Sequence, residues 1–503
     1  MTRAALLSIL SGAMLALSFP DFSWFPLVWI ALVPYLYVCF TAEGARELVV
    51  GHLLFCAAYF GGLLYWIPRV LVAYGGLSWL IGGLALVVMV LVLALLLAPF
   101  PLLVRWTAGR SWMAAALAAP GIWLMTELIR NAFPFGGFPW GALGYSQLPY
   151  SWVAQLADVG SVYLISFLVV LVNSAIFLCV FRRAFRFGAL VAVLLGLVNL
   201  YGLYRVYFWV PQETGRVVVG VAQADIALQE VPAHYATKYF KTLAGQFDEA
   251  VRAGARWIVF PEAQNPYRFE RDFYFREFWS DRVRRDHVYL LFNSTRQGAQ
   301  GYYNSAYLLD PDGRPAYEYD KVHLVPFGEY LPLAALFGRA HALVAEVSGF
   351  TAGTGLTIGH VGSIPFTTLI CYEGIFPELA RSGVRQGAQV LVNITNDGWF
   401  GPTAAPAQHL QMTAMRAIEN RRTCIRAANS GYSAIIGPKG RILMRTGLFQ
   451  EALLVGTVTA FGSGSPFLTL GFGPCYLAIM VSLVLVFLTR TGINQREKEG
   501  AQR

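Results

Sequence analysis

The sequence predicts a multi-pass α-helical membrane protein that carries an α/β domain outside the cytoplasm. Three observations carry that prediction. The 503 residues are 56% hydrophobic and only 13% charged, where an ordinary soluble protein has roughly 25% charged residues. Apolar runs of bilayer-spanning length recur through the first 205 residues and once more near the end. Between them, from about residue 215 to 460, the texture changes to short β-rich runs alternating with amphipathic, charged stretches.

The apolar runs lie near 4–19, 24–40, 48–67, 78–104, 112–130, 160–181, 187–204 and 467–489. The first follows Arg3 and is short enough for a signal peptide. Because further spans follow at once, an uncleaved first helix is the better reading. The division is therefore a membrane domain of about seven helices over 1–205, a folded domain over 215–460, a last span over 467–489 and a basic tail over 490–503. Lysine and arginine in short loops mark the cytoplasmic side. Arg3, Arg46, Arg105, Arg110, Arg182, Arg183, Arg186 and the tail residues Arg490, Arg496, Lys498 and Arg503 fall on one side, against Arg69 and Arg130 on the other. Both termini are expected in the cytoplasm and the folded domain outside it. The net charge of +9 is accounted for by this asymmetry and does not point to nucleic acid. Glu127, inside a span, is expected to pair with Arg130 one turn on or to face the protein interior.

Within the folded domain, strands are expected at 217–226, 256–263, 288–294, 305–313, 366–374, 389–397 and 433–440, from apolar β-branched content and turn residues at their ends. Helical spacing marks 235–253, 269–285, 376–387 and 406–421. The six cysteines lack the spacing of a disulfide scaffold or zinc site. Cys39, Cys56, Cys179 and Cys475 lie in apolar runs and read as packing residues, which leaves Cys371 and Cys424 in the polar part of the chain. His323, His341, His360 and His409 show no metal spacing, and no metal or other cofactor is expected.

Three residues at strand ends carry the candidate chemistry. Glu262 closes WIVFPEA, Lys321 lies in YDKVHLVPFGEYLP, and Cys371 closes FTTLIC before YEGIFPEL. Each has a plain reading by itself: a helix cap, a solvated loop lysine, a small core side chain. Cys371 also stands at what looks like a helix start, where free N–H groups and the dipole stabilise a thiolate. Together the three form an acyl-transfer set: a carboxylate base for the thiol, an ammonium for the oxyanion, and a nucleophile.

The segments WIVFPEA, DKVHLVPFGEY and LICYEGIFPE resemble the three signature segments of the nitrilase (carbon–nitrogen hydrolase) superfamily. AIENRRTCIRAANSGYSAIIGPKGRIL is similar to its closing helix, strand and hairpin. FPFGGFPWGALGYSQ (133–147), VPFGEYLP, CYEGIFPE and TNDGWFG extend the resemblance over nearly the whole chain to the apolipoprotein N-acyltransferase family. The resemblance implies an α-β-β-α sandwich, an inner-membrane location, and roles for Glu262 as base, Lys321 as oxyanion stabiliser and Cys371 as nucleophile. It also gives weight to Glu329, Tyr372 and Glu373. Glu329, eight residues beyond Lys321, holds that ammonium or helps move a proton, or else is a loop salt bridge. Tyr372 offers its backbone N–H to an oxyanion, and Glu373 orients the turn. In ITNDGWFGP (394–402), Trp399 and Phe400 read equally as packed aromatics on an ordinary turn or as a loop that meets substrate lipid. Arg416, Glu419 and Arg421 read as structural ion-pair residues. One departure is visible: the family often carries a tryptophan shortly after the first strand, and QADIALQEVPAHY (223–235) has none, which bears on the pocket wall there.

The activity implied is transfer of a fatty acyl chain from a membrane phospholipid to the α-amine of the N-terminal diacylglyceryl-cysteine of a lipoprotein, through a Cys371 thioester, by a monomer. The alternatives are a membrane-tethered amidase or nitrilase acting on small amides, and an inactive transport or assembly protein. A disulfide between Cys371 and Cys424 would block the proposed chemistry.

Overall fold

The computed structural model describes residues 2–227, 232–262, 267–332 and 349–500. His341 and part of the 223–235 segment lie outside the described residues. The chain separates into two compact units, one of Met1–Val72, Leu77–Trp209 and Thr469–Arg503, the other of Ala73–Gly76 and Val210–Leu468.

All eight apolar runs of the first unit are helical. Five helices are long and apolar enough to cross a membrane by length and composition: Ala45–Leu63, Trp79–Ala108, Trp112–Ala132, Ala157–Arg182 and Phe185–Phe208. Shorter apolar helical segments cover Arg3–Leu17, Phe25–Thr41 and Gly473–Thr489. The Phe25–Thr41 run is not one continuous helix. It breaks into a 3-10 turn (Phe25–Leu27) and two helices, Val28–Ala31 and Val33–Thr41, with Pro26 and Pro34 each in a first turn. The Asn173 amide braces this break, accepting from Leu32 N (2.9 Å) and donating to Val28 O (2.9 Å). Gly121 admits the last helix to close approach, since a Cβ there would sit 2.1 Å from Ser482 Oγ. Glu127 faces the interior of this unit, where it accepts from Trp123 Nε1 (2.8 Å) and Leu143 N (2.9 Å). Its neighbour Arg130 lies over the Phe60 ring.

The second unit is built on two six-stranded sheets. The first contains β1 (Glu213–Gln223), β2 (Trp257–Val259), β3 (Tyr289–Gly298), β4 (Gly301–Leu309), β5 (Pro315–Asp320) and, beside β1, β12 (Ala452–Phe461), in the order β12-β1-β2-β3-β4-β5. The second contains β6 (Gly359–Val361), β7 (Ile364–Ile370), β8 (Val390–Thr395), β9 (Thr423–Ala428), β10 (Ala434–Ile436) and β11 (Ile442–Arg445), in the order β11-β10-β9-β8-β7-β6. In each sheet the three central strands are parallel and the outer ones antiparallel.

Period-two alternation assigns the two faces of β1. Val219 and Val221 point into the layer between the sheets, where they join Trp257, Val259, Phe366, Ile370, Val390 and Ile425. Ala222 faces the other way, under Tyr239, Leu243 and Phe247 of the helix Pro232–Arg252 and Trp279 of the helix Phe273–Asp286. The helices Pro377–Arg385 and Ala405–Asn420 pack on the second sheet. The result is the α-β-β-α sandwich that the sequence led us to expect. Because both faces of the central strands are buried, they read as unbroken apolar runs.

Trp257 anchors the layer between the sheets, fully buried with its ring 4.9 Å from that of Phe366. Trp257→Ala is expected to destabilise this unit by about 3–5 kcal/mol. A chemical-denaturation midpoint indistinguishable from that of the native chain would contradict the packing described here.

Candidate active site

Glu262, Lys321 and Cys371 come together at the ends of strands drawn from both sheets. Glu262 follows β2, Lys321 follows β5 and Cys371 follows β7. The Glu262 carboxylate and the Cys371 thiol are close enough for each to shift the other's pKa. The carboxylate accepts from Asn304 Nδ2 (2.8 Å) and from Asn396 N (3.1 Å), so both oxygens are held. Lys321 is buried, with its ammonium 2.9 and 2.8 Å from the two Glu329 oxygens. Asn304 Nδ2 also donates to Glu329 Oε1 (3.0 Å), which ties the two carboxylates together. Its amide is oriented in turn by Asn293, whose Nδ2 donates to Asn304 Oδ1 (2.7 Å). Glu329 is therefore the partner of Lys321 inside the cluster, and its other oxygen accepts from Val325 N (2.8 Å).

These contacts set the charges. Burial raises the Glu262 pKa above the ordinary carboxylate range, with Lys321 opposing that rise and Glu329 adding to it. Burial works against the Lys321 ammonium, but Glu329 and Glu262 outweigh it and hold its pKa above the ordinary lysine range. Burial, and next the Glu262 carboxylate, push the Cys371 thiol up, while Lys321 pulls it down. This corrects the expectation of a helix-stabilised thiolate. The element starting at Cys371 is a five-residue 3-10 turn, Cys371–Ile375, and the α-helix begins only at Pro377. Cys371 is thus a protonated thiol beside a carboxylate able to take its proton.

Cys371 is half-buried and has φ +52°, the left-handed region. A non-glycine residue held there costs on the order of 1–3 kcal/mol and needs surrounding contacts to stay. Glu373 provides some of them. Its carboxylate accepts from Ile370 N (2.7 Å), and from Val322 N (2.8 Å), His323 N (3.0 Å) and Tyr319 OH (2.7 Å). One buried side chain therefore binds the turn of the thiol to the segment that carries Lys321. Burial pushes its pKa up to about 7. The Tyr372 ring lies 5.8 Å from His323 and 5.1 Å from Phe376.

Trp399 and Phe400 end a short 3-10 turn, Asp397–Phe400, and both are half-buried. Trp399 packs edge-on against Tyr74, whose hydroxyl donates to Gly398 O (2.8 Å). Arg416 and Glu419 form a buried ion pair at 2.9 Å, and Arg421 caps their helix and donates to Pro438 O. None of the six cysteines is in a disulfide, Cys371 and Cys424 included.

Sequence reasoning missed the second layer of this site. Asn304 joins the two carboxylates, and a cluster of Asn393, Asp397, His409 and Arg426 lies behind Cys371. In the sequence Asp397 falls within the ITNDGWFGP turn and His409 shows no metal spacing, so neither stands out. The clearest signal for Arg426 was a charge inside TCIRAA, a strand every residue of which is buried.

Residues 11–175 match the apolipoprotein N-acyltransferase N-terminal domain, and residues 218–461 match the carbon–nitrogen hydrolase family. A chain named apolipoprotein N-acyltransferase from Geobacter metallireducens (strain ATCC 53774 / DSM 7210 / GS-15) is 37% identical, over 92% of this chain and 91% of its own. The chain belongs to the apolipoprotein N-acyltransferase family. A second relative of that name, from Nitrosomonas europaea (strain ATCC 19718 / CIP 103999 / KCTC 2705 / NBRC 14298), is 31% identical over 94% of each chain. Among solved structures, an amidase of the nitrilase superfamily from Nesterenkonia AN1 is similar at 22% identity and TM-score 0.39, covering 53% of this chain and 98% of that one. Within the family architecture, the second unit is the carbon–nitrogen hydrolase domain and the first carries the apolar helices.

Proposed function

We propose that this chain is an apolipoprotein N-acyltransferase that moves a fatty acyl chain from a membrane phospholipid to the α-amine of the N-terminal diacylglyceryl-cysteine of a lipoprotein. The observation that carries the reading is the buried set of Glu262, Lys321 and Glu329, joined through Asn304, with both Glu262 and Lys321 acting on the Cys371 thiol, in a chain of that family.

In the first half-reaction the Glu262 carboxylate takes the Cys371 proton and the thiolate attacks the ester carbonyl carbon. The Lys321 ammonium and the Tyr372 N–H hold the resulting oxyanion. The C–O bond then breaks, Glu262 returns the proton to the departing lysophospholipid oxygen, and the acyl chain stays on Sγ as a thioester. In the second half-reaction the lipoprotein amine attacks the thioester carbonyl and gives up a proton to Glu262. The C–S bond breaks and Cys371 regains its proton. Glu329 keeps Lys321 placed and charged throughout. Trp399 and Phe400 line the approach for the acyl chains. Eight spans with both termini in the cytoplasm would put the domain on the outer side of the inner membrane; the arginine asymmetry supports that orientation.

Purified protein in proteoliposomes, given labelled phospholipid and a synthetic diacylglyceryl lipopeptide, is expected to form an amide-linked product and to leave small soluble amides intact. Hydrolysis of small amides with no lipopeptide product would support the tethered amidase instead.

The site also fixes a pH dependence. Glu262 works as the carboxylate, and its pKa is raised, so thioester formation is full above that pKa and is lost as the pH falls through it. The acid limb is expected above about pH 4.3, the value for an unperturbed glutamate. A rate that stays flat down to that pH would remove Glu262 as the base.

A further inference from the structure

The Cys371 carbonyl oxygen, on the far side of the peptide from the Tyr372 N–H, is met by two side chains. Asn393 Nδ2 donates to it (3.2 Å) and also to Leu369 O (2.9 Å). His409 Nε2 stands 3.3 Å from it. Behind His409, Nδ1 lies 3.0 Å from Asp397 Oδ1 and 3.1 Å from Arg426 Nη2, and Arg426 Nη2 donates to Asp397 Oδ2 (2.6 Å). The other Arg426 amino group donates to Asn393 Oδ1 and to Thr413 Oγ1. Asn393, Asp397, His409, Thr413 and Arg426 are all buried. The packing is close: a Cβ on Gly431 would sit 2.4 Å from Asp397 Oδ2.

The cluster has a definite protonation pattern. Burial works to raise the Asp397 pKa, but Arg426 beside it prevails and holds it at about 2. Burial and Arg426 together lower the His409 pKa, which keeps the ring neutral with one N–H. Nε2 faces a carbonyl oxygen, which can only accept, whereas Nδ1 has both the Asp397 carboxylate and an Arg426 N–H beside it; a proton on Nε2 donates to Cys371 O and leaves Nδ1 to accept from Arg426.

We propose that His409, oriented by Asp397 and Arg426, is a positioning residue that fixes the Cys371–Tyr372 peptide so that its N–H is set to receive the oxyanion. The argument is geometric. In a planar trans peptide the C=O and N–H point in opposite directions, so clamping the oxygen from one side aims the N–H to the other. The clamp is needed because Cys371 is held at φ +52°, where a non-glycine backbone tends to relax. This inference rests on the thioester reading above and adds a residue that touches no substrate.

Alkylation separates this role from a general structural one. Iodoacetamide forms an S–C bond at Cys371 and releases iodide, with no oxyanion, whereas acylation by a phospholipid passes through one. The full-length protein in detergent is compared with His409→Leu and His409→Gln, the latter keeping an N–H donor. Single-turnover thioester formation and peptide-mapped alkylation of Cys371 are both measured. His409→Leu is expected to slow thioester formation roughly 10²-fold, the scale for losing one oxyanion donor, with the KM for phospholipid and the alkylation rate close to native. His409→Gln is expected to recover most of the acylation rate. Native acylation by His409→Leu would overturn the proposal, as would a parallel fall in acylation and alkylation, or a glutamine variant no better than leucine. If His409→Leu does not fold, His409→Met takes its place. If neither folds, the glutamine variant decides: slow acylation with normal alkylation in it also overturns the proposal. Absence of any thioester on the native chain would instead overturn the underlying reading, and this inference with it.

Discussion

Lys321→Met is expected to cost both stability and activity, for one electrostatic reason. The lysine is buried against Glu329 and also offsets the charge of Glu262. Removing it leaves two carboxylates close together in a poorly solvated site with no counter-charge. Breaking a buried pair in this way costs about 3–5 kcal/mol. The loss should depend on pH. Glu262 already has a raised pKa because of burial, and the substitution removes the ammonium that opposes the rise. With a folded-state pKa above the unfolded one, stability is greatest at low pH, where the carboxyl is protonated, and falls as the pH rises through the folded pKa. The variant should therefore unfold at a temperature closer to native at pH 5 than at pH 8. Thioester formation should fall by about 10²–10³-fold as the oxyanion loses its cation. A variant that unfolds like the native chain at both pH values would show that Lys321 does not balance these carboxylates.

Cys371→Ala is expected to abolish transfer to a lipopeptide while leaving the domain folded. Removing the nucleophile of a comparable catalytic set costs on the order of 10⁶-fold, which takes turnover below detection. The domain should tolerate the change because Cys371 is half-buried and its turn is held mainly by backbone contacts to Glu373, Asn393 and His409. Lipopeptide acylation in proteoliposomes is the measurement. Transfer at the native rate would show that no acyl group passes through this sulfur.

The sequence made one part of the site visible and hid another, for a physical reason. Glu262, Lys321 and Cys371 were legible because each is a chemically distinct residue at the end of an apolar strand. Asn304 and His409 are polar residues inside regular elements, where they do not interrupt the pattern. Their roles arise from contacts across 42 and 38 residues of chain, to Glu262 and to Cys371. Strands divided in a similar way. β8 is buried along all of its length and β3 from Leu290 to Ser294, and both read as apolar runs there. β5 was not expected, because it begins with a proline, exposes Glu318 and lies at a sheet edge. β12, also unexpected, runs antiparallel along β1 and mixes glycine and threonine with its apolar residues. The helix-stabilised thiolate failed for a related reason. A turn of the right composition follows Cys371, but it is 3-10 and short, and burial together with the Glu262 charge favours the thiol.

The central claim, an acyl chain held on Cys371, is tested most directly by trapping. The native protein is incubated with labelled phospholipid in the absence of any acceptor, quenched in acid and mapped by mass spectrometry. One acyl chain per polypeptide is expected, on the peptide containing Cys371, released by hydroxylamine and transferred when the lipopeptide is added. Lipopeptide acylation without any acyl group ever found on Cys371 would contradict the account.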